Sequence, residues 1–383
     1  MRICHVIESA AGGSAAIMVS LARQMVQMGH QVHVIYAPDR ADPAIVSAIH
    51  EAGSASVLQV VMRRAVTAAD AIDGVRLRRA VSSLGPLDVI HSHSSKAGAL
   101  ARISCQFRGT AEIYSPHGFY TMTGEAPFYV GPVERFLSKF TDRIIAVSKF
   151  EAEHAASIGI DPEKVEVVLN GIDPFEPLAR GEARAELGLP DEGFVVGFVG
   201  RLSRQKAPGR AIEVVEALPR DGASLCMIGD GELADETAVQ AKASGAKVIL
   251  AGGRAARPLI SAFDCLLCTS LYEGMPVSFL EALNCGVPIV TYPVGGAEEL
   301  VSQPQSGVVT EPDPAAAARA IAGLMALSSS QRDWLAERCR ATAAAHSAAA
   351  MAEDTIAVYR RALKRSAGNG GGAADRNDAS PAG

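Results

Sequence analysis

Short apolar runs alternate with longer stretches of helical character along most of the chain. In the first half, the runs predicted to be strands are Arg2–Ile7, Gln31–Tyr36, Val57–Val61, Val89–His93, Glu112–Ser115, Ile144–Val147 and Lys164–Val168. Stretches typical of helices lie between them, among them Ala15–Met28 and Lys96–Phe107. Strands that alternate with helices indicate a parallel sheet covered by helices.

A second series of the same kind begins after residue 193. Its predicted strands are Phe194–Val199, Ser224–Ile228, Val248–Leu250, Cys265–Cys268, Pro288–Thr291 and Gly307–Val309. The pattern therefore predicts an α/β protein with two doubly wound domains that face each other across a cleft. In such sheets ligands lie beyond the carboxyl ends of the strands, so side chains that follow strands are the first candidates for a site.

Breaks in this alternation suggest the domain boundaries. We expect an N-terminal domain over residues 1–170, a proline-containing linker over 171–193 and a C-terminal domain over 194–346. A last helix is expected over 347–365, crossing back to the first domain. Residues 366–383 are rich in Gly, Ala, Asp and Asn and cannot bury apolar area, so they are expected to be disordered.

Composition narrows the class of protein. Of the 383 residues, 48% are hydrophobic and 20% are charged, which is typical of a globular protein. The net charge of −6 argues against nucleic-acid binding, which requires a basic surface. The sequence has no apolar stretch long enough to span a membrane and no signal-peptide pattern, so a cytoplasmic location is expected. The seven cysteines are scattered, which disfavours a disulfide framework.

The strongest candidates for chemistry are Glu273 and Glu281, which follow a predicted strand. Gly274 permits a tight turn, and Pro276 suits the first position of a helix predicted over Val277–Asn284. The N-terminus of that helix offers free N–H groups to a phosphate. Glu273 can then reach sugar hydroxyls, and Glu281 can accept from two ribose hydroxyls. The alternative, a solvated pair of acids, is disfavoured because apolar residues flank Glu281.

This segment resembles the donor-binding motif of the family-4 retaining glycosyltransferases, which have the GT-B fold. The resemblance extends from Cys4 to about Leu363, and it is closest to the subgroup that builds surface polysaccharides, exopolysaccharides and O-antigens. It assigns to the donor site Glu273, Gly274, Met275, Pro276, Val277 and Glu281.

The segment Phe198–Lys206 is similar to the Gly-Arg-…-Lys motif of that family. The resemblance implies that Arg201 and Lys206 hold the donor phosphates. Two cations at this place would neutralise the diphosphate as it leaves. A solvated basic loop is the alternative interpretation of the same residues.

The resemblance also covers a glycine-rich loop and a histidine, each after a predicted strand. Gly12, Gly13 and Ser14 resemble the loop near the phosphates and the acceptor, where backbone N–H groups approach an anion. His117 resembles the active-site histidine that contacts the transferred sugar. Two glycines alone are also compatible with a simple turn, and a lone histidine after a strand is more often structural.

His91 and His93 point to the same side of a predicted strand, a spacing compatible with metal binding. No Asp or Cys at usable spacing completes such a site, so no metal is expected. The segment instead resembles the polysaccharide subgroup, which implies that Ser94, Ser95 and Lys96 help to bind the acceptor.

Two further segments resemble the parts of these enzymes that flank the nucleotide base. Gly229 lies in the first, residues 228–232, and Arg254 ends the second, residues 251–254. Both segments follow predicted strands, and both are also compatible with ordinary loops.

Together the motifs imply metal-independent retaining transfer. The nucleotide sugar is a substrate, so no cofactor is expected. Arg201, Lys206 and the helix N-terminus would neutralise the leaving diphosphate, whose oxygen takes the proton of the acceptor hydroxyl. Glu273 would orient the sugar, with a covalent intermediate on Glu273 as the alternative, and His117 would stabilise developing positive charge.

The resemblance also suggests the partners. It implies a uridine nucleotide sugar as donor, with guanosine as the alternative, and a glycan or lipid-linked sugar as acceptor. The segment 62–79 carries five arginines among apolar residues, which is compatible with docking at the cytoplasmic leaflet or with a solvated helix face. Two other functions stay open: a sugar-nucleotide epimerase of the same fold and a non-catalytic sugar-binding protein.

Overall fold

The structure, a computed structural model, describes residues 1–63, 67–219 and 222–370, with side chains as far as Lys364. The N-terminal domain contains a seven-stranded parallel sheet with the strand order β3-β2-β1-β4-β5-β6-β7. Its strands are β1 (Arg2–Ile7), β2 (Gln31–Tyr36), β3 (Ser56–Gln59), β4 (Val89–His93), β5 (Ala111–Ser115), β6 (Arg143–Ala146) and β7 (Val165–Val167). Its helices are α1 (Gly12–Gln27), α2 (Pro43–Glu51), α3 (Asp70–Ser83), α4 (Ser95–Ser104), α5 (Val130–Leu137) and α6 (Lys149–Ser157).

The C-terminal domain contains a six-stranded parallel sheet with the strand order β10-β9-β8-β11-β12-β13. Its strands are β8 (Phe194–Val199), β9 (Ala223–Ile228), β10 (Lys247–Gly252), β11 (Cys265–Cys268), β12 (Ile289–Thr291) and β13 (Gly307–Val309). The remaining helices are α7 (Arg180–Glu186), α8 (Pro208–Glu216), α9 (Ala234–Ala243), α10 (Val277–Asn284), α11 (Pro314–Met325), α12 (Ser329–Ala345) and α13 (Ala348–Gly370). The predicted class, two doubly wound α/β domains, is confirmed.

The strands form where the sequence has apolar runs because helices cover both faces of each sheet. In β4 and β11 every residue is buried. All thirteen predicted strands are present, with ends that differ from the expected positions by no more than two residues. The segment expected to be a plain linker, residues 171–193, contains α7, whose Arg184 is buried and donates to the carbonyls of Pro190 and Asp191.

The final helix, α13, lies against α1, β5 and β6 of the N-terminal domain. Tyr359 on this helix forms a 2.6 Å hydrogen bond between its hydroxyl and Nδ1 of His91 on β4, and Arg361 is paired with Glu166. The helix continues to Gly370, five residues beyond its predicted end at residue 365. The rest of the predicted disordered tail, residues 371–383, lies outside the described residues.

The core of the C-terminal domain gives a prediction for stability. Phe279 on α10 is completely buried. Phe279→Ala leaves a cavity, and we expect the free energy of unfolding to fall by about 3–5 kcal/mol. Urea denaturation followed by the fluorescence of Trp334, the single tryptophan, measures this because Trp334 lies on α12, which packs against α10. The control is Phe128→Ala, at a side chain that is 94% exposed, which should change stability by no more than about 0.5 kcal/mol. Equal effects of the two substitutions would contradict the buried position of Phe279.

Candidate active site

The segment after β11 carries Glu273 to the carboxyl edge of the second sheet. The backbone N–H of Leu271 donates to the carbonyl of Gln205 at 2.8 Å, and the side-chain amide of Gln205 donates to the carbonyl of Tyr272 at 3.1 Å. These bonds fix the segment against the loop that follows β8. Glu273 is 7% exposed, and its Oε1 lies 2.7 Å from Nζ of Lys206.

Lys206 is the cation that this loop brings to Glu273. The Thr269 hydroxyl, within hydrogen-bond distance of the carbonyls of Lys206 and Ala207 at 3.2 and 3.1 Å, holds the loop in place. Burial lowers the pKa of Lys206, but the carboxylate of Glu273 outweighs it, so the pKa is raised overall. The site therefore holds a permanent positive charge that is already partly desolvated.

The N-terminus of α10 lies next to this pair. Pro276 is the residue before the helix, not its first residue as the sequence suggested, and no side chain caps the helix there. Opposite it lies Gly13, where a Cβ atom would come within 3.0 Å of Cγ2 of Val277. α1 begins at Gly12, three residues before its predicted start at Ala15, and Gly12 has a left-handed φ of 74°. Two helix N-termini therefore face the same part of the cleft, a suitable environment for an anion.

His117 reaches the cleft from the N-terminal domain. It follows β5 with φ of 54°, a left-handed conformation that is uncommon for a residue with a side chain. The adjacent Gly118 donates its N–H to the carboxylate of Glu151, which also accepts from the N–H of Val147 at 2.7 Å. Burial lowers the pKa of His117 to about 4, so the imidazole is neutral at pH 7. Glu151 has no motif that marks it in the sequence, and its burial raises its own pKa to about 7.

The two domains meet where Gly118 contacts Gly274. A Cβ atom on Gly274 would lie 2.8 Å from the nitrogen of Gly118 and 3.1 Å from the carbonyl carbon of His117. The hydroxyl of Ser148 donates to the carbonyl of Gly274 at 2.8 Å. The contact brings the loop of His117 against the residue that follows Glu273, so the structure assembles these parts of the predicted site.

Glu281 lies on α10, beyond its first turn. Its Oε1 is 3.9 Å from Nε of Arg257, a residue that the sequence analysis did not select. Burial raises the pKa of Glu281 to about 7, and Arg257 offsets part of that increase. The guanidinium of Arg257 also donates to the carbonyl of Asp173 at 2.7 Å, which ties this side of the site to the connection between the domains.

The remaining donor candidates lie around the ends of β8, β9 and β10. Arg201 follows Gly200, and its side chain is exposed. Gly229 is required by packing, because a Cβ atom there would come within 1.9 Å of the carbonyl oxygen of Gly200. Arg254 is exposed, and its guanidinium lies 3.4 Å from the carbonyl oxygen of Glu186.

The acceptor candidates lie at the start of α4. Ser94 has φ of 68°, and its N–H donates to the carbonyl of Ser115 at 3.0 Å. Ser95 is the first residue of α4, and Lys96 is paired with Asp70 at 2.6 Å. The role of these residues in acceptor binding stays a prediction.

Comparison with known proteins identifies the class. The family model described as Glycosyltransferase Family 4 matches residues 11–175, and the model described as Glycosyl transferases group 1 matches residues 179–341. Among solved structures, the HepE protein of Anabaena in complex with UDP and glucose covers 94% of this chain and all of its own, with a TM-score of 0.81 and 21% identity. The fold is therefore that of the GT-B class. The chain belongs to the family-4 glycosyltransferases.

Two curated relatives are similar over part of their length. The chain is 30% identical over 241 residues to UDP-Gal:alpha-D-GlcNAc-diphosphoundecaprenol alpha-1,3-galactosyltransferase of Escherichia coli, a match that covers 58% of this chain and 62% of that protein. It is 27% identical over 310 residues to alpha-maltose-1-phosphate synthase of Mycolicibacterium smegmatis, covering 71% of this chain and 79% of that protein.

The raised pKa of Glu281 leads to a prediction on pH. If its carboxylate accepts from ribose hydroxyls, UDP binding requires the ionised form, so UDP affinity should fall by up to about tenfold per pH unit below pH 7. Calorimetric titration of wild type and Glu281→Gln from pH 8 to pH 6 separates this from the titration of UDP itself. The variant should bind weakly and lack the additional pH dependence.

The stability of the ligand-free protein should fall as the pH rises, whereas UDP affinity should increase. Because the pKa of Glu281 in the folded protein lies above its usual value, its contribution to stability is lost as the pH rises through about 7. Glu281→Gln should therefore melt at a higher temperature than wild type at pH 8. Identical pH dependence of UDP binding in the two proteins would contradict a ribose-binding role.

Proposed function

We propose that this protein is a retaining glycosyltransferase that moves a hexose or related sugar from a UDP-sugar to a glycan or lipid-linked sugar acceptor. The observation that carries the proposal is the Lys206–Glu273 pair, 2.7 Å apart, beside the uncapped N-terminus of α10. Two similar proteins support a uridine base: the HepE protein, solved in complex with UDP, and the UDP-Gal-dependent galactosyltransferase of Escherichia coli.

Charge builds up on the diphosphate when the bond to the sugar breaks. Lys206, Arg201 and the N-terminus of α10 supply positive charge at that place without a metal ion. In the proposed reaction, the bond between the anomeric carbon and the diphosphate oxygen breaks, and the acceptor oxygen forms its bond on the same face of the sugar. The proton of the acceptor hydroxyl passes to the departing phosphate oxygen, so no protein base is needed.

Glu273 and His117 orient the sugar in this proposal. Because Lys206 holds one carboxylate oxygen of Glu273, the carboxylate has a defined direction and a reduced tendency to attack the sugar. His117 is neutral at pH 7 and can hydrogen-bond to a sugar hydroxyl. A sugar-nucleotide epimerase would use the same cleft, but it would convert the nucleotide sugar without any acceptor.

Removal of the lysine tests the proposal. We expect Lys206→Ala to lower acceptor-dependent release of UDP from a UDP-sugar by about 100- to 1000-fold, because the leaving group loses its nearest cation. A coupled assay for UDP, run with and without lipid-diphosphate sugars as acceptors, measures this. Lys242→Ala, at an exposed lysine on α9, is the matched control and should behave as wild type. Conversion of the nucleotide sugar by wild type without an acceptor would favour the epimerase.

The surface of the N-terminal domain supports a further part of the proposal, docking to a membrane. No helix in the described part of the chain is both long and apolar enough to cross a bilayer. The short helix α5 and the residues that flank it nevertheless have an apolar face that points outward. Side chains at i, i+4, i+7 and i+11 are exposed by 40–55%, namely Tyr129, Val133, Phe136 and Phe140. Its buried residues are Glu134 and Leu137. A helix of this kind is expected to be covered by another apolar phase.

Neighbouring helices extend this surface and add charge. Ile103 on α4, which contacts α5, is 64% exposed, and Ile72 and Val75 on α3 are 56% and 50% exposed. Arg76, Arg78 and Arg79 are exposed on α3, while Arg64 of the predicted patch lies outside the described residues. Aromatic side chains among cations match the interface of an anionic bilayer. We propose that this surface docks to such a bilayer, where a lipid-linked acceptor would be located.

Vesicle binding tests the docking surface. The ring of Phe128, which is 94% exposed, contacts that of Tyr129 and so belongs to the same surface. The double substitution Phe128→Ser and Phe136→Ser should weaken sedimentation with phosphatidylglycerol vesicles by about tenfold or more, because two exposed aromatic side chains no longer enter the interface. Trp334→Ser, at a 52% exposed aromatic residue of the other domain, is the control and should bind as wild type. Unchanged binding by the double variant, or no binding by wild type, would rule out this surface.

A further inference from the structure

A row of histidines connects the core of the N-terminal domain to the cleft. His5 on β1 and His91 on β4 are register partners in the sheet, and His93 lies two residues beyond His91. All three are at most 1% exposed. His117 continues the row after β5, with 5.3 Å between the centroids of its ring and that of His93 and 19° between their planes.

Hydrogen bonds join three of these rings in sequence. Nδ1 of His5 lies 3.0 Å from Nε2 of His93, and Nδ1 of His93 lies 3.0 Å from Nε2 of His117. Nε2 of His5 is buried and has no hydrogen-bond partner among the described residues. His91 stands outside this chain, because its two nitrogens contact the hydroxyls of Tyr359 at 2.6 Å and Ser115 at 2.8 Å.

The rings are neutral at pH 7. Burial lowers the pKa of His5 to about 3 and that of His117 to about 4, and it lowers the pKa of His93 well below its usual value. A neutral imidazole carries one N–H and one acceptor nitrogen. Along the hydrogen-bonded rings of His5, His93 and His117, the N–H groups must therefore all donate in one of two directions.

The unpartnered atom of His5 decides between the two directions. If protons point from His117 towards His5, Nε2 of His5 carries a buried N–H without an acceptor, which is the costlier defect. If they point the other way, His5 donates from Nδ1 to His93, and His93 donates from Nδ1 to Nε2 of His117. The unsatisfied group is then only the acceptor lone pair on Nε2 of His5. The proton of His117 must lie on Nδ1, the ring nitrogen not used in the chain.

We propose that His93 and His5 are positioning residues that hold His117 as the Nδ1–H tautomer, so that this N–H donates to the transferred sugar in the cleft. The step to the sugar rests on the proposed function, whereas the tautomer does not. Such an arrangement orients the ring and prevents the opposite tautomer, which could only accept a hydrogen bond from a sugar hydroxyl and could not donate one.

A metal ion is the competing explanation of the same cluster. One ligand atom from each of His5, His91 and His93 lies within 4.8 Å of the others. A bound cation would have to replace one of the two hydrogen bonds of His93 and one hydroxyl contact of His91. Because hydrogen bonds already occupy every ring nitrogen of His5, His91 and His93 except Nε2 of His5, these bonds account for the geometry better than a cation does.

Nitrogen NMR of the ligand-free full chain tests the tautomer directly. The protein has nine histidines, and the signals of His117 are assigned by their loss in His117→Gln. In wild type, Nδ1 of His117 should give the protonated-nitrogen signal and Nε2 the unprotonated one. The reverse assignment would overturn the proposal, and so would equimolar zinc in the purified protein by elemental analysis.

Variants separate positioning from general stability. His93→Leu removes the donor to His117, and we expect mixed tautomers and a kcat lowered by about 10- to 100-fold, with UDP affinity unchanged. His93→Asn keeps an N–H close to the position of Nδ1 and should restore the tautomer and most of kcat. His91→Leu, at the buried neighbour outside the chain, is the matched control and should change the melting temperature only.

The outcomes distinguish this inference from the proposed function. Equal shifts of tautomer and kcat in His91→Leu and His93→Leu would reduce the row to a structural role and overturn the inference. An unshifted tautomer in His93→Leu would do the same. If wild type shows the predicted tautomer but no transfer to any acceptor, the proposed function fails while the positioning by His93 stands.

Discussion

The site depends on the close approach of two backbones, at Gly118 in one domain and Gly274 in the other. A side chain at residue 274 would collide with the nitrogen of Gly118, and a Cβ atom on Gly295 would come within 1.9 Å of the carbonyl oxygen of Gly274. The backbone segments around Gly118, Gly274 and Gly295 therefore pack against one another at the turn that follows Glu273. Because His117 precedes the first glycine and Glu273 precedes the second, this contact sets the distance between the contributions of the two domains.

Two buried charged groups near that turn have protein partners in the absence of a ligand. Lys206 is paired with Glu273, and Glu151 accepts two backbone N–H groups. A diphosphate that enters next to α10 would therefore find a cation that is already desolvated and oriented, and little reorganisation would be needed. The pair with Glu273 also keeps Lys206 protonated when no anion is bound. In the proposed function, the same pair would then bind the donor.

The strands and the site segments could be predicted from the sequence because their signals are local. Each strand is a run of apolar residues, and Glu273, Lys206 and His117 each follow one. His5 could not be found in this way, because β1 pairs with β4 although β2 and β3 lie between them in the chain, so its neighbour His91 is 86 residues away. The outward apolar face of α5 was missed for another reason. Helical spacing indicates which residues share a face, but it does not say which face is buried.

The buried side of α5 connects the proposed docking surface to the site. Glu134 on this helix is paired at 2.9 Å with Arg102, which is completely buried, and the guanidinium of Arg102 lies 3.9 Å from the ring centre of Tyr114. Tyr114 is on β5, three residues before His117, and Gly98 on α4 leaves room for its ring. A surface helix held in this way cannot rotate without disturbing the strand that carries His117. Docking through α5 would therefore fix the orientation of the cleft relative to the bilayer, so that an acceptor sugar extending from the lipid would meet the reactive face in one orientation.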